Sequence, residues 1–236
     1  NISESINLYR DIEILAYAGG KIHIPYVTTS KGVNLIREAK KNNLDITASV
    51  SLAHITFSEK DIPEFDTNFK LIPPLRSESD LNSLKEGLID GTIDYLTSMH
   101  EPFDIDNKKN VFDNASSGSI GLESMFGLMS NQFTLEKTID ILTRKKIIFG
   151  VDDHPIEIGS LADISLFNPD KNYDFSQDHI LSTSKNCAFV DTKHKGIVYG
   201  SSNGKNFTLN NNDCITAYNN FVSIFFLTAY AFGFFK

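Results

Sequence analysis

Apolar residues in the first two thirds of the chain fall alternately into helical and strand-like spacings. In "SINLYRDIEILAYAG", Ile6, Tyr9, Ile12 and Leu15 recur at three-residue steps. That spacing predicts an amphipathic helix with these side chains facing the core, stopped by Gly19 and Gly20. "KIHIPYV" reads as a strand, and "SKGVNLIREAKKNN" as a helix with Ser30 as its cap and Val33, Leu35 and Ile36 inward. "LDITASVSL", rich in β-branched residues, is the next strand, and "NFKLIPPLR" a short one ended by Pro73 and Pro74. "SESDLNSLKEGLIDG" is a capped helix, with Ser77 or Ser79 at its start and Gly91 after its end. "TIDYLTS" closes the series as a fourth strand.

Strand–helix alternation of this kind predicts βα units and a parallel sheet, with reactive side chains at the C-terminal strand ends. Those ends are Tyr26–Thr29, Ser51–His54, Ile72–Arg76 and Ser98–Phe103. Four units are half of an eight-unit barrel. The pattern changes near residue 150. "HPIEIGSLADISLFNPDKNYDF" alternates like strands, with turns at Gly159 and at Asn168-Pro169, and "HKGIVYGSSNGKNFTL" predicts a hairpin turning at Asn203-Gly204. The expected organisation is a partial barrel over 1–150, a β-sandwich portion over 151–209 and an apolar tail over 210–236.

Composition narrows the function classes. With 22 basic against 30 acidic residues and a net charge of −8, there is no basic surplus to neutralise phosphates, which excludes a nucleic-acid binder. Cys187 and Cys214 form no C-x-x-C pair, and a reducing cytoplasm is the expected setting. The start has neither an initiator Met nor a signal pattern, and is read as lying partway through a larger protein. The tail "FVSIFFLTAYAFGFFK" gathers Phe221, Phe225, Phe226, Phe232, Phe234 and Phe235. It is short for a membrane span, so an aggregation-prone or non-native extension is expected before an anchor.

Several polar groups invite a site and are read as something plainer. His23 is expected to pack, facing away from the strand ends. His100, Glu101 and Asp104 are close in sequence, but neighbours on a strand end point in different directions. Asp152, Asp153 and His154 read as a solvated turn, and "DIDNKKNVFDN" as a mobile loop. No G-x-S-x-G elbow or phosphate-binding Gly loop is present.

A run of motifs in fixed order carries a family resemblance. "KIHIPYVTTSKGVNLIREAKKNNLDITASVSLAHI", "FKLIPPLRSESDLNSLKEGLIDGTIDYLTSMHEPF", "FDNASSGSIGLES" and "IGSLADISLFNP" together resemble the dihydroorotases of the amidohydrolase superfamily. The collinear match runs over about residues 1–208, everything but the tail. The resemblance implies the C-terminal half of a (β/α)8 TIM-type barrel followed by part of a small β-sandwich. It also implies a zinc-dependent hydrolase of pyrimidine biosynthesis, interconverting carbamoyl aspartate and dihydroorotate. Hydantoinases and allantoinases share the layout and remain alternatives.

The family's functional positions, carried onto this sequence, are mostly substituted. Tyr26 stands at the strand-five zinc ligand and His54 at the strand-six ligand. Ile72 stands for the substrate-contacting Asn before "PPLR", and Phe103 for the second His of "DHAPH". Met99 takes the place of the Asp that serves the family as ligand and general acid/base. A thioether cannot shuttle a proton, and a catalytic zinc needs three protein ligands. The family's strand-one H-x-H pair falls before this sequence, and of the ligand positions within it His54 alone is retained, so the expectation is a dihydroorotase-type chain without activity and without firmly held zinc. The alternative expectation is a structural partner of aspartate transcarbamoylase.

Overall fold

The computed structural model describes residues 1–144, 149–151, 156–203, 206–209 and 225–226. It is a mixed α/β structure in two compact units. The first holds Asn1–Glu123 and Ser176–Val190, the second Ser124–Phe175 and Asp191–Lys236. Residues 124–150, grouped with the barrel portion on sequence, thus lie in the second unit.

In the first unit, α1 (Ile2–Ala18), α2 (Ser30–Lys41), α3 (Leu52–Thr56) and α4 (Glu78–Asp90) accompany strands β1 (Ile22–Ile24), β2 (Ile46–Ser51) and β3 (Tyr95–Thr97). The strands are parallel in the order β1-β2-β3, with Ile22 opposite Ile46 and Ser49 opposite Tyr95. Central β2 is buried almost continuously, as a parallel strand covered on both faces should be. Helix α2 is capped by Thr29 rather than Ser30: the Thr29 hydroxyl accepts from the Gly32 amide, while the Ser30 amide is taken by Asp80 at 2.8 Å. Lys40 and Lys41 in its last turn oppose the helix dipole. Helix α4 is capped by Ser77 and ends at Gly91, whose φ of 81° is the left-handed geometry glycine tolerates.

Three expectations in this unit are corrected. Helix α1 forms, but its core face is Ser5, Leu8 and Leu15, whereas Ile6 and Tyr9 are 62% and 57% exposed. A half-buried carboxylate sets that rotation: Glu4 reaches the Thr28 and Thr29 amides, and Leu8, one turn on, follows it inward. The strand expected around residue 70 is absent. Thr67–Phe69 is a 3₁₀ turn and Ile72 is 70% exposed, because Pro73 and Pro74 offer no N–H to a ladder. Three parallel strands, not four, are therefore found among the described residues. Nor is 104–114 simply a mobile loop: Ile105–Lys108 forms a helical turn, α5, and Lys108 ties it down through the Ser116 and Gly118 carbonyls.

In the second unit, α6 (Met125–Gln132) and α7 (Leu135–Thr143) accompany an antiparallel sheet ordered β6-β5-β4-β7. Its strands are β4 (Asp163–Asp174), β5 (Lys193–Asn203), β6 (Asn206–Leu209) and β7 (Phe225–Phe226). Phe126, Ile139 and Phe167 form a core. Asn168-Pro169 is not a turn: β4 runs through it, with the register slipping between Asn168 and Asn172, as a bulge permits. Strands β5 and β6 pair as a hairpin with Asn203 opposite Asn206; Gly204 lies outside the described residues. So does most of the apolar tail, although Phe225 and Phe226 pair with Phe167 and Leu166 and so extend this sheet. Among the described residues no helix is long and apolar enough to cross a membrane.

Candidate functional site

The C-terminal ends of β1, β2 and β3 carry Tyr26, the Ser51–His54 turn and Met99. Tyr26 and Met99 both adopt positive φ, 54° and 48°, where a bulky side chain is strained. Local bonds hold the backbone there: the Val27 amide donates to the Ser49 carbonyl at 2.9 Å, and the Met99 amide to the Thr97 hydroxyl at 2.9 Å. Met99 is buried and Tyr26 half-buried. Ile72 is exposed in the irregular stretch before the prolines, and Phe103 is half-buried with its amide bonded to Ser184 and Asn186.

His54 is 2% exposed. Its Nε2 lies 3.0 and 3.2 Å from the Pro73 and Pro74 carbonyls, which only accept, so Nε2 carries the proton. Its Nδ1 then accepts from the Ser51 hydroxyl at 2.7 Å. Burial lowers its pKa from 6.5 to about 4, although the two carbonyls pull the other way. The ring is thus a neutral strut between β2 and the proline turn, with its one lone pair already engaged.

Zinc takes imidazole nitrogen, carboxylate or thiolate. A buried thioether, a phenol and an imidazole whose nitrogens are both bonded do not make that set. Among the described residues, no three His, Cys, Asp or Glu side chains converge to hold a metal ion. The residues at the strand ends therefore do not fit the zinc that the family resemblance implies.

His100, Glu101 and Asp104 are not brought together as a site. His100 Nδ1 accepts from the Leu122 amide at 3.3 Å and lies 3.9 Å from Glu123. Its Nε2, which then bears the proton, faces Ser182 Oγ at 3.3 Å. Ser182 in turn donates to Glu123 at 2.7 Å. This serine–histidine–glutamate grouping is wired the wrong way for a nucleophile, since the imidazole donates to the hydroxyl instead of taking its proton. It locks loops together. His23 does pack, stacked on Tyr95 with ring centroids 5.2 Å apart, but on an exposed face, bonded to Thr47 and to the Tyr95 hydroxyl. Asp152, Asp153 and His154 lie outside the described residues.

Sequence reasoning missed the polar group that organises this end of the unit. The Glu4 carboxylate accepts from the Thr28 amide and hydroxyl and from the Thr29 amide and hydroxyl. Arg76 Nε donates to the Thr28 hydroxyl at 3.1 Å and its guanidinium lies 3.9 Å from Glu4. The signal available was Arg76 in "PPLR" and the Thr-Thr pair opening α2, which leave amide donors needing an acceptor. Its partner lay 24 residues away on α1.

No protein-family model matches the chain. It is 36% identical to a dihydroorotase of Listeria monocytogenes over 197 residues, 80% of this chain and 46% of the relative. Among solved structures, the L-hydantoinase (dihydropyrimidinase) of Arthrobacter aurescens superposes with a TM-score of 0.79 at 21% identity, covering 87% of this chain and 48% of that one. The inactive dihydroorotase-like domain of a CAD-like multifunctional protein from Chaetomium thermophilum superposes at 0.63 with 18% identity, covering 85% and 54%. The structural likenesses carry the fold alone: these neighbours are amidohydrolases of the TIM-barrel type. The chain spans about half the length of the curated relative it matches. With the ordered motifs and the 36% identity together, this chain is similar to part of a dihydroorotase-like cyclic amidohydrolase.

Proposed function

We propose that this segment is the C-terminal half of a dihydroorotase-like barrel with part of its β-sandwich, that it supplies scaffold rather than chemistry, and that it holds no zinc. Buried Met99 at the strand end where the family places its proton-transferring Asp carries this reading. No environment gives a thioether a transferable proton. The engaged nitrogens of His54 support it, and so does a solved dihydroorotase-like domain that is described as inactive. The role that remains is structural, with aspartate transcarbamoylase as the partner the resemblance suggests and a cytoplasmic setting.

The test is turnover and metal content on the same purified chain. Hydrolysis of dihydroorotate at the no-enzyme rate, with clearly less than one zinc per chain after dialysis, is the expected result. Turnover that disappears on His54→Ala, with stoichiometric zinc lost in the same variant, would overturn the proposal.

A further inference from the structure

The 102–109 loop, residues 67 and 68 and the 177–186 stretch enclose a cleft of about 900 Å³. Of the family's functional positions Phe103 lines it, whereas Tyr26, His54, Ile72 and Met99 do not. Its walls are cationic in an acidic protein. Lys108, Lys109 and Lys185 line it against one carboxylate, Asp104, while the whole chain carries a net charge of −8.

Among the described residues none of these three ammonium groups belongs to an ion pair. Lys108, 6% exposed, donates to the Ser116 and Gly118 carbonyls at 2.8 and 2.9 Å, and Lys185 to the Ile180 carbonyl at 2.8 Å. Carbonyl dipoles fix these heads in place without cancelling their charge. Asp66 and Glu101 act on Lys108 only through space. Cations held in a concave wall raise the local concentration of anions, and withdrawing one from water without a counter-charge is costly. The side-chain amides of Asn68 and Gln177 also line the cleft and make no hydrogen bond among the described residues. Phe103 adds an apolar wall.

We propose that this cleft binds a small molecule bearing an oxyanion, carboxylate or phosphate, with Lys109 and Lys185 meeting its charge and Asn68 and Gln177 its neutral polar groups. The site goes beyond the scaffold reading and does not depend on it, since Lys109, Lys185, Asn68 and Gln177, the groups that would meet the ligand, all lie outside the family's functional positions.

The test is an amide NMR titration of the full chain with inorganic phosphate and, separately, with succinate, against sodium chloride at matched ionic strength. Saturable shifts at Phe103 and Asn186 with one of the two anions and none with chloride are expected; which anion saturates identifies the ligand class. Lys109→Gln/Lys185→Gln is expected to weaken that binding by about tenfold or more. The charge-keeping Lys109→Arg/Lys185→Arg pair is expected to stay within about threefold. Both positions are exposed, and Lys109→Gln alone is expected to weaken binding by about threefold should the double variant fail to fold. Failure of both anions to saturate, equal shifts with chloride, or undiminished binding in the neutralised variant would overturn the proposal.

Discussion

Acidification from pH 7 toward pH 4 is expected to unload His54 as a source of stability. The ring is 2% exposed, and burial takes its pKa from 6.5 to about 4. At about 1.4 kcal/mol per pH unit, that drop is worth about 3 kcal/mol in favour of the neutral ring. The sign follows from proton counting. Between pH 6.5 and 4 the unfolded chain holds a proton that the folded chain does not, so unfolding takes one up. The contribution is fully present above pH 6.5, and is lost as the pH falls through the window at a slope approaching about 1.4 kcal/mol per unit. Below the folded pKa it is gone.

The assay is urea unfolding at half-unit pH steps for the wild-type chain and for His54→Gln, which keeps an amide donor toward the Pro73 and Pro74 carbonyls but cannot titrate. Carboxylates with lowered pKa values, among them Asp80, Asp90 and Asp140, act in both chains and cancel in the difference. The wild type is expected to lose about 2–3 kcal/mol more than the variant between pH 7 and 4.5. Parallel profiles for the two chains would refute the reasoning, as would an imidazole NMR resonance of His54 titrating near 6.5.

Two further perturbations test the frame around the strand ends. Glu4→Gln removes the charge that four donors and Arg76 converge on, and is expected to cost about 2–3 kcal/mol, read as a lower thermal midpoint; an unchanged midpoint would mean that the carboxylate does not fix the rotation of α1. Tyr26→Asn places a residue that tolerates left-handed backbone where φ is 54°, and is expected to raise stability by about 0.5–1 kcal/mol in the same melt, whereas a fall would show that the phenol carries more packing than strain.

What was legible in the sequence is what is decided locally. Helix α4 declared itself through Ser77 and Gly91, and β2 through its β-branched run. Phase and partnership were not legible. Helix α1 has apolar residues on two faces, and a contact from Glu4 to Thr28 and Thr29 selects which one turns inward. Helix α6 hid for the opposite reason: Phe126, Gly127, Leu128, Met129 and Ser130 are all buried, so no polar face reveals a helical period. At the site, the ordered motifs located Tyr26, His54 and Met99. Only the folded chain places the prolines of "PPLR" against His54 and so shows where its lone pair goes.

Tyr26 and Met99 share a backbone geometry that bears on the proposed loss of chemistry. Each sits at positive φ, a conformation that costs a side chain with a Cβ about 1–2 kcal/mol and that Asn, Asp and His visit more readily. Backbone free to suit its own side chain would leave that region at both places. It stays because the Ser49 carbonyl holds the Val27 amide and the Thr97 hydroxyl holds the Met99 amide. Those bonds do not depend on which side chains stand at 26 and 99. On the proposed scaffold reading, a loop geometry suited to a short polar residue would outlast the residue that made use of it. Loss of chemistry would then be a change of side chains at fixed backbone, and the strain at Tyr26 and Met99 would mark where the chemistry stood.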